Sequence, residues 1–133
     1  MKIIIVDDNI QFRESMEMYL NMRLNHNVIA SYDNPISFLE SIEMYQADII
    51  LMDIEMPEMN GIEATKQALW KDKDIKIIAV TNYQDMAYLR TLISAGFKGC
   101  VFKNSVFEEL ENALEKVSKQ NFYFPKDIQL DNN

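Results

Sequence analysis

Short apolar runs and longer segments with a helical period alternate along the chain. The apolar runs lie near residues 2–6, 27–31, 47–52, 75–80 and 98–102, and several are rich in Ile and Val. Such runs are typical of strands that are covered on both faces of a sheet. The pattern therefore predicts five strand–helix units, which form a parallel sheet with helices on both of its faces.

The segments between the apolar runs space their apolar residues as amphipathic helices do. The predicted buried faces consist of Phe12, Met16, Tyr19 and Leu20 in the first helix, Phe38, Leu39 and Ile42 in the second, Ile62, Thr65 and Leu69 in the third, Met86, Leu89 and Ile93 in the fourth, and Val106, Leu110, Ala113, Leu114 and Val117 in the fifth. Trp70, near the end of the third helix, is expected to be half-buried. The predicted fold is an α/β three-layer sandwich.

Several helix ends carry their own signals. Asn34 is followed by a proline, which predicts an N-cap and a proline at the first helical position. Residues 60–63 (Asn-Gly-Ile-Glu) resemble a capping box, and residues 105–108 (Ser-Val-Phe-Glu) have the sequence of one. Gly96 predicts a left-handed C-terminal cap after the fourth helix.

Length and composition limit the class of protein. The 133 residues suffice for one domain with a core, and no apolar stretch approaches the ~18 residues of a membrane-spanning helix. With 13 basic and 21 acidic residues, the net charge of −8 argues against direct binding of nucleic acid or of anionic membranes by this chain. The single cysteine, Cys100, excludes an internal disulfide and fits a reducing cytoplasm, so we expect a cytoplasmic location.

We expect a single domain over residues 1–120 and a tail over residues 121–133. The tail begins with an aromatic cluster, Phe122, Tyr123 and Phe124, followed by a proline and a polar end. The aromatic residues are expected to pack on the domain and the last residues to be mobile.

Four of the five predicted strands end in residues that can carry chemistry. Asp7 and Asp8 follow the first strand, Asp53 the third, Thr81 the fourth and Lys103 the fifth. In an open α/β sheet, ligands bind outside the carboxyl ends of the strands. The sequence therefore predicts one constellation of acids, a hydroxyl and an amine at that edge.

These residue types suit phosphoryl transfer. Clustered carboxylates repel each other unless a cation lies between them, and carboxylate oxygens are ligands that Mg²⁺ accepts. An aspartate can also act as a nucleophile and form an aspartyl phosphate. A lysine and a hydroxyl can neutralise or donate to the phosphoryl oxygens.

Together these residues resemble the receiver domain of two-component response regulators. The resemblance covers about residues 1–120 and is carried by the pair Asp7-Asp8, by residues 53–61 (Asp-Ile-Glu-Met-Pro-Glu-Met-Asn-Gly), by Thr81 and by Lys103. It implies a flavodoxin-like (βα)5 fold whose five-stranded parallel sheet has the order 2-1-3-4-5.

The resemblance also implies a role for each residue. Asp53 is the implied phosphoacceptor, and Thr81 and Lys103 are implied to bind the phosphoryl oxygens and report phosphorylation. The implied cofactor is Mg²⁺, with four ligands: the carboxylates of Asp7, Asp8 and Asp53 and the backbone carbonyl of Glu55.

The implied function is a phosphorelay step in signal transduction. A histidine kinase or a phosphotransfer protein phosphorylates the domain, which then switches the binding of an output partner that the sequence does not name. The resemblance also allows a homodimer that forms on phosphorylation. The chain is not expected to be an enzyme, beyond assisting its own phosphorylation and dephosphorylation. Residues 80–82 and 122–125 are faintly similar to receivers of LuxR-type transcription factors. The chain is either a stand-alone receiver, which we favour, or a fragment of a larger regulator.

Three positions depart from the pattern of many receivers. Cys100 stands where Tyr or Phe is common, three residues before the lysine; Asn82 stands where a small residue is common; and Asn104 stands where proline is frequent. The aromatic residue commonly rotates inward when the threonine moves. Its replacement by Cys100 therefore raises the question of how phosphorylation reaches a partner.

Two other functions are weighed against the receiver. A phosphatase of the haloacid-dehalogenase type would need Asp-x-Asp after its first strand, whereas here Asp53-Ile54-Glu55 follows the third. A flavodoxin-like flavin-binding protein would need a phosphate loop rich in Ser, Thr and Gly after strand one. Here the acids of residues 7–9 (Asp-Asp-Asn) would repel a phosphate.

Overall fold

A five-stranded parallel sheet forms the centre of the molecule. The computed structural model describes residues 1–82 and 86–125 of the 133-residue chain, without the side chains of residues 86 and 87. The strands are β1 (Lys2–Val6), β2 (Asn27–Tyr32), β3 (Ile49–Met52), β4 (Ile77–Thr81) and β5 (Gly99–Phe102). Their order is β2-β1-β3-β4-β5, so the predicted strand order is confirmed.

Helices connect the strands as the alternation predicts. They are α1 (Ile10–Met18), α2 (Pro35–Leu39), α3 (Gly61–Lys71), α4 (Met86–Ala95) and α5 (Val106–Ser118). A π-helical segment, Tyr19–Arg23, continues α1, and short 3-10 turns lie at Glu43–Tyr45 and Lys103–Ser105. Within the described residues, no helix has both the length and the apolar character needed to cross a membrane.

Two apolar clusters cover the two faces of the sheet. Successive residues of a strand point to opposite faces, so Ile4 of β1 belongs to one cluster and Ile5 to the other. The first cluster receives side chains of α2, α3 and α4, and the second those of α1 and α5. Each fully buried aliphatic side chain stabilises the fold by about 1.5–3 kcal/mol. The predicted three-layer sandwich is therefore present, with the sheet as its middle layer.

Strand register brings the predicted site residues to one edge. Val6 of β1 pairs with Met52 of β3, so Asp7 and Asp53 follow neighbouring strands at the same height. The Asp53 N–H donates to the carbonyl oxygen of Val6 at 2.9 Å, which extends the ladder by one bond. At the far side of the sheet, β4 and β5 pair up to their last residues, directly before Lys103.

In the part of the chain that the structure describes, asparagine caps three helices. The Oδ1 atoms of Asn9, Asn34 and Asn60 accept hydrogen bonds at 3.0, 2.8 and 2.9 Å from backbone N–H groups three residues later. The caps at Asn34 and Asn60 confirm the prediction, whereas the cap at Asn9 was not foreseen. Gly96 has a φ of 105°, and its N–H donates to the carbonyl of Ile93, so the left-handed C-terminal cap is confirmed.

The predicted capping box at residues 105–108 is wrong. Ser105 makes no side-chain bond to the start of α5, and its hydroxyl points back to the carbonyl oxygen of Phe102 at 3.4 Å. The reason is local backbone geometry. A 3-10 turn leads into α5 and leaves Ser105 with a ψ of 17°, whereas a capping residue needs an extended conformation.

Three apolar residues that were predicted to be buried or half-buried face outward. Ile42 is 72% exposed because α2 ends at Leu39, before it. Trp70 is 90% exposed because α3 packs through a different, narrow face. That face consists of Gly61, Ala64, Thr65 and Ala68. Ile93 is 36% exposed, and Leu92 takes the buried position of α4 instead. The side chain of Met86 lies outside the described part.

The chain after α5 returns to the sheet and pairs with β5. We call residues 121–125 the strap. The Tyr123 N–H donates to the carbonyl of Lys98 at 3.1 Å, and the Cys100 N–H donates to the carbonyl of Tyr123 at 2.8 Å. The Tyr123 hydroxyl donates to Glu109 Oε1 on α5 at 3.0 Å, and Phe124 packs against the first apolar cluster. Residues 126–133, which include the end predicted to be mobile, lie outside the described part of the chain.

Candidate functional site

Three carboxylates meet at the carboxyl edge of the sheet. Asp7, Asp8 and Asp53 each offer an oxygen atom, and these atoms all lie within 4.8 Å of one another. Asp7 is 2% exposed and Asp53 6% exposed, whereas Asp8 faces solvent. Anionic groups this close in a buried setting repel each other strongly. The arrangement is therefore suited to holding a cation.

The backbone around Asp7 is fixed by α1. Asp7 Oδ1 accepts the N–H of Asn9 at 2.8 Å, and the Arg13 guanidinium donates to the carbonyl oxygen of Asp7 at 2.8 Å. Since Asn9 also caps α1, one helical turn ties the acidic loop to the helix. Asn9 and Arg13 were not identified from the sequence. The capping preference of asparagine was the available signal for the first, and no local signal marks the second.

Asp53 is held at the start of the loop that follows β3. Its Oδ1 atom accepts the backbone N–H of Ile54 at 2.8 Å. Further along the loop, the Gly61 N–H donates to the carbonyl of Ile54 at 2.8 Å. A Cβ atom on Gly61 would collide with the carbonyl oxygen of Asp53, so this close approach requires glycine.

Lys103 reaches across the edge from β5 and contacts both buried acids. Its Nζ atom lies 2.8 Å from Asp7 Oδ2 and 3.6 Å from Asp53 Oδ1. Asp7 Oδ2 is buried and makes no hydrogen bond of good geometry, so the shorter contact is chiefly ionic. The ring of Phe12 lies below the ammonium group, with its centroid 4.5 Å from Nζ. The lysine compensates part of the negative charge at this edge.

The surroundings change the proton affinity of Asp53. Burial, and then the negative charge of Asp7, raise the pKa of Asp53 to about 7, although Lys103 and the Ile54 N–H oppose the change. Near neutral pH the carboxyl group is therefore partly protonated in the protein without a bound cation. A divalent cation at this edge would favour the ionised form, which is the nucleophilic one.

Thr81 and Glu55 are placed at the same edge of the sheet. Thr81 is the last residue of β4 and is buried, with 1% of its surface exposed. Glu55 lies in the loop after Asp53, with its side chain exposed. The roles that the resemblance gives to both residues stay predictions.

Cys100 and Asn82 have unlike environments. Cys100 is fully buried in β5, and burial raises the pKa of its thiol to about 12, so the thiol stays neutral. Its side chain belongs to the first apolar cluster. Asn82 is exposed directly after β4. Cys100 is thus a small core residue in this structure.

Comparisons with known proteins agree on one family. The model of the response regulator receiver domain matches residues 3–115. The transcriptional regulatory protein DegU of Brevibacillus brevis is 31% identical over 122 residues, which are 92% of this chain and 52% of that protein. This chain therefore spans about half the length of that curated relative.

Two solved structures share the fold. A two-component response regulator of the LuxR family from Aurantimonas sp. SI85-9A1 is 28% identical, with a TM-score of 0.88 over 96% of this chain and 91% of that one. A DNA-binding response regulator of the LuxR family from Staphylococcus aureus is 28% identical, with a TM-score of 0.80 over 88% of this chain and 98% of that one.

These comparisons correct the predicted partners, from which nucleic acid was excluded. The similar proteins are named as a transcriptional regulatory protein and a DNA-binding response regulator. The exclusion was wrong because it rested on the net charge of −8 of this chain alone, and this chain spans only about half the length of DegU. The acidic character of a receiver domain does not exclude nucleic acid as a partner of a regulator that contains such a domain.

The phosphatase alternative finds no support in these comparisons. The matched region includes β1 to β5 and most of α5, and thus all the residues of the acidic edge. The TM-score of 0.88 shows that the fold is shared with a solved response regulator. The chain belongs to the family of response regulator receiver domains, the signalling domains of two-component systems.

Proposed function

We propose that this chain is a phosphoacceptor domain, in which Asp53 receives a phosphoryl group in a reaction that depends on Mg²⁺. The observation that carries the proposal is the edge at which three carboxylates lie within 4.8 Å and Lys103 contacts two of them. Phosphoryl transfer chiefly demands positioning and compensation of charge. Membership of the receiver family supports the same assignment.

Asp53 acts as the nucleophile. One of its carboxylate oxygens attacks the phosphorus atom of a phosphohistidine on a histidine kinase or a phosphotransfer protein. The new P–O bond forms as the bond from phosphorus to the imidazole nitrogen breaks, and the imidazole leaves with the electron pair. The product is an aspartyl phosphate and a free histidine side chain.

Neighbouring groups of the chain orient the phosphoryl group. Lys103, 3.6 Å from Asp53 Oδ1, is close enough to move onto a phosphoryl oxygen. The Thr81 hydroxyl can donate to another oxygen, and backbone N–H groups after Asp53 can donate to the third. The ammonium group also shields Asp7 from the incoming negative charge. The chain thus assists its own phosphorylation, and we do not class it as an enzyme.

The donor set at this edge fits Mg²⁺. The carboxylates of Asp7, Asp8 and Asp53 would hold the ion, and the carbonyl of Glu55 is the further ligand implied by the family. When bound, the ion neutralises the developing charge on the phosphoryl oxygens. Lys103 already compensates one charge, which leaves a net negative edge for a divalent cation.

Phosphorylation then changes what the domain binds. The phosphoryl group adds a charge of roughly −1.5 to −2 at a buried edge, which biases the nearby loops between two arrangements. The named relative is a transcriptional regulatory protein. We therefore propose that the output of this domain is the control of transcription.

Labelling with a small phosphoryl donor tests the proposal. We expect acetyl phosphate with Mg²⁺ to add the mass of one phosphoryl group to the wild-type protein, as measured by intact mass spectrometry. Asp53→Asn should abolish the mass increase, because the amide is not a nucleophile of this kind. Omitting Mg²⁺ should have nearly the same effect.

An exposed aspartate far from the edge provides the matched control. Asp74 lies between α3 and β4 at the opposite end of the sheet, so Asp74→Asn should be labelled as the wild type is. Continued labelling of Asp53→Asn at the wild-type rate would reject Asp53 as the acceptor.

A further inference from the structure

We infer that Phe12 is a positioning residue for Lys103. Its ring holds the ammonium group at a place from which the group can contact Asp7 and also a phosphoryl group on Asp53. The inference rests on the proposed function, since it names a residue that acts on the phosphoryl-binding lysine. It assigns Phe12 a role beyond the core packing that its place in the helical pattern predicts.

Lys103 has ionic contacts and an aromatic contact. The two carboxylates lie at 2.8 and 3.6 Å from Nζ, and the Phe12 ring centroid lies at 4.5 Å from the same atom. An ammonium group over the face of an aromatic ring is attracted by the negative charge of that face. The ring attracts the group from any direction above its face, so it does not favour one carboxylate over the other.

This property matters because Lys103 has to move. It is closest to Asp7, whereas a phosphoryl group would be attached to Asp53. A hydrogen-bonding side chain in place of Phe12 would fix the ammonium group in one direction. The side chain of Lys103 is only 15% exposed, so the ring also takes the place of water that would otherwise solvate the charge.

The position of the ring is itself fixed relative to the acids. The Phe12 N–H donates to the Oδ1 atom of the cap residue Asn9 at 3.0 Å. The next residue, Arg13, donates to the carbonyl of Asp7 at 2.8 Å. The turn that carries the ring is therefore tied to the loop that carries the acid, and Phe12 also packs against the second apolar cluster.

Ordinary packing is the competing explanation, and a double-mutant cycle separates the two. Phe12→Leu keeps an apolar side chain but removes the ring, whereas Phe12→Tyr keeps the ring. We expect Phe12→Leu to lower the labelling rate constant with acetyl phosphate about threefold to tenfold, within the range of a partly desolvated cation–π contact. Phe12→Tyr should restore most of the rate.

In a Lys103→Met background, Phe12→Leu should have no further effect, because the ammonium group on which the ring acts is gone. An equal loss of rate in that background would show that the ring serves packing alone, and the inference would be overturned. Phe107→Leu is the matched control, since the ring of this half-exposed residue of α5 packs edge-on against Tyr19. If Phe12→Leu does not fold, as judged by circular dichroism, Phe12→Met takes its place in the cycle.

A measurement without any phosphoryl donor separates this inference from the proposed function. In the NMR spectrum the ε-methylene protons of Lys103 should be shifted upfield by the ring, retained in Phe12→Tyr and lost in Phe12→Leu. An unshifted wild-type signal would overturn the inference even if Asp53 is phosphorylated. Conversely, a shifted signal with no labelling would reject the proposed function and leave the contact established.

Discussion

At the scale of single residues, the surroundings of Asp53 destabilise its ionised form. It is buried, it lies near Asp7, and Lys103 is closer to that other acid than to Asp53. These conditions raise the pKa of Asp53. Because this pKa differs between the folded and the unfolded state, the free energy of unfolding depends on pH. Functional sites commonly store such unfavourable arrangements.

We expect Asp53→Asn to stabilise the protein at pH 8 in the presence of a chelator. The pKa of Asp53 is about 7 in the folded protein, against an ordinary value of 3.8. The folded state therefore loses stability as the pH rises from about 4 through 7, and the asparagine variant does not. The gain in free energy of unfolding should be about 1–3 kcal/mol at pH 8 and vanish near pH 4. Chemical denaturation at both pH values measures it, and equal stabilities at pH 8 would contradict the expectation.

Asp8 is the exposed member of the cluster and the one best placed to attract a cation from solvent. We expect Asp8→Ala to weaken Mg²⁺ binding by at least about tenfold, a loss that removal of even an outer-shell partner can cause. Isothermal titration calorimetry gives the dissociation constants. Asp74→Ala, which removes a charge far from the edge, should bind Mg²⁺ as the wild type does. Equal affinities of Asp8→Ala and the wild type would remove Asp8 from the ligand set.

At the scale of elements, the four-residue strand β5 lies between the strap at its start and Lys103 at its end. Lys103, which follows the strand, contacts Asp7 and Asp53. Gly99 and Cys100, at the start of the strand, lie beside Tyr123 of the strap. Two backbone hydrogen bonds join Tyr123 of the strap to Lys98 and Cys100, and its hydroxyl donates to Glu109. The chain after α5 is thus connected to the acidic edge through one short strand.

Gly99→Val should detach the strap. A Cβ atom at this position would lie 2.8 Å from the carbonyl oxygen of Tyr123, which is too close for any side chain. We expect a loss of about 1–3 kcal/mol in the free energy of unfolding, since two backbone bonds are broken. Hydrogen exchange at the Cys100 amide should become faster, because its acceptor moves away.

Tyr123→Phe is the milder comparison, since it removes only the bond to Glu109 and leaves the backbone pairing in place. It should leave exchange at the Cys100 amide slow. An unchanged exchange rate in Gly99→Val as well would mean that the strap does not protect this amide.

The elements differ in how far they could be predicted from the sequence. The strands follow from their short apolar runs, and α5 follows from a helical apolar period that is sustained over 13 residues. Trp70 was misplaced because a large apolar side chain suggests burial, whereas α3 packs through small residues that signal little. The acids, Lys103 and Thr81 were found because they end strands. The ring of Phe12 beneath Lys103 and the pairing of the strap depend on the tertiary path, which local patterns do not contain.

At the scale of the whole molecule, the net charge of −8 acts in addition to the local cluster. Self-repulsion of an acidic chain weakens the compact state, and salt screens this repulsion. A general effect of ionic strength and a specific effect of Mg²⁺ on stability should therefore be separable.

We expect NaCl to raise the melting temperature of the wild type and of Asp8→Ala alike. At equal ionic strength, MgCl₂ should raise it further in the wild type only, because binding to the folded state adds to the screening. Thermal unfolding followed by circular dichroism measures both effects. An equal response of Asp8→Ala to MgCl₂ would point to screening without a specific site.

The strap has a consequence for how copies of this protein behave at high concentration. An open sheet presents unpaired N–H and C=O groups along its outer strands, and these groups recruit strands of other molecules into aggregates. Tyr123 occupies part of this row on β5. Pro125, two residues on, has no N–H with which to continue the ladder. The strap thereby covers part of the β5 edge and gives an incoming strand fewer free partners there, so detaching it should make the domain prone to aggregate as well as less stable.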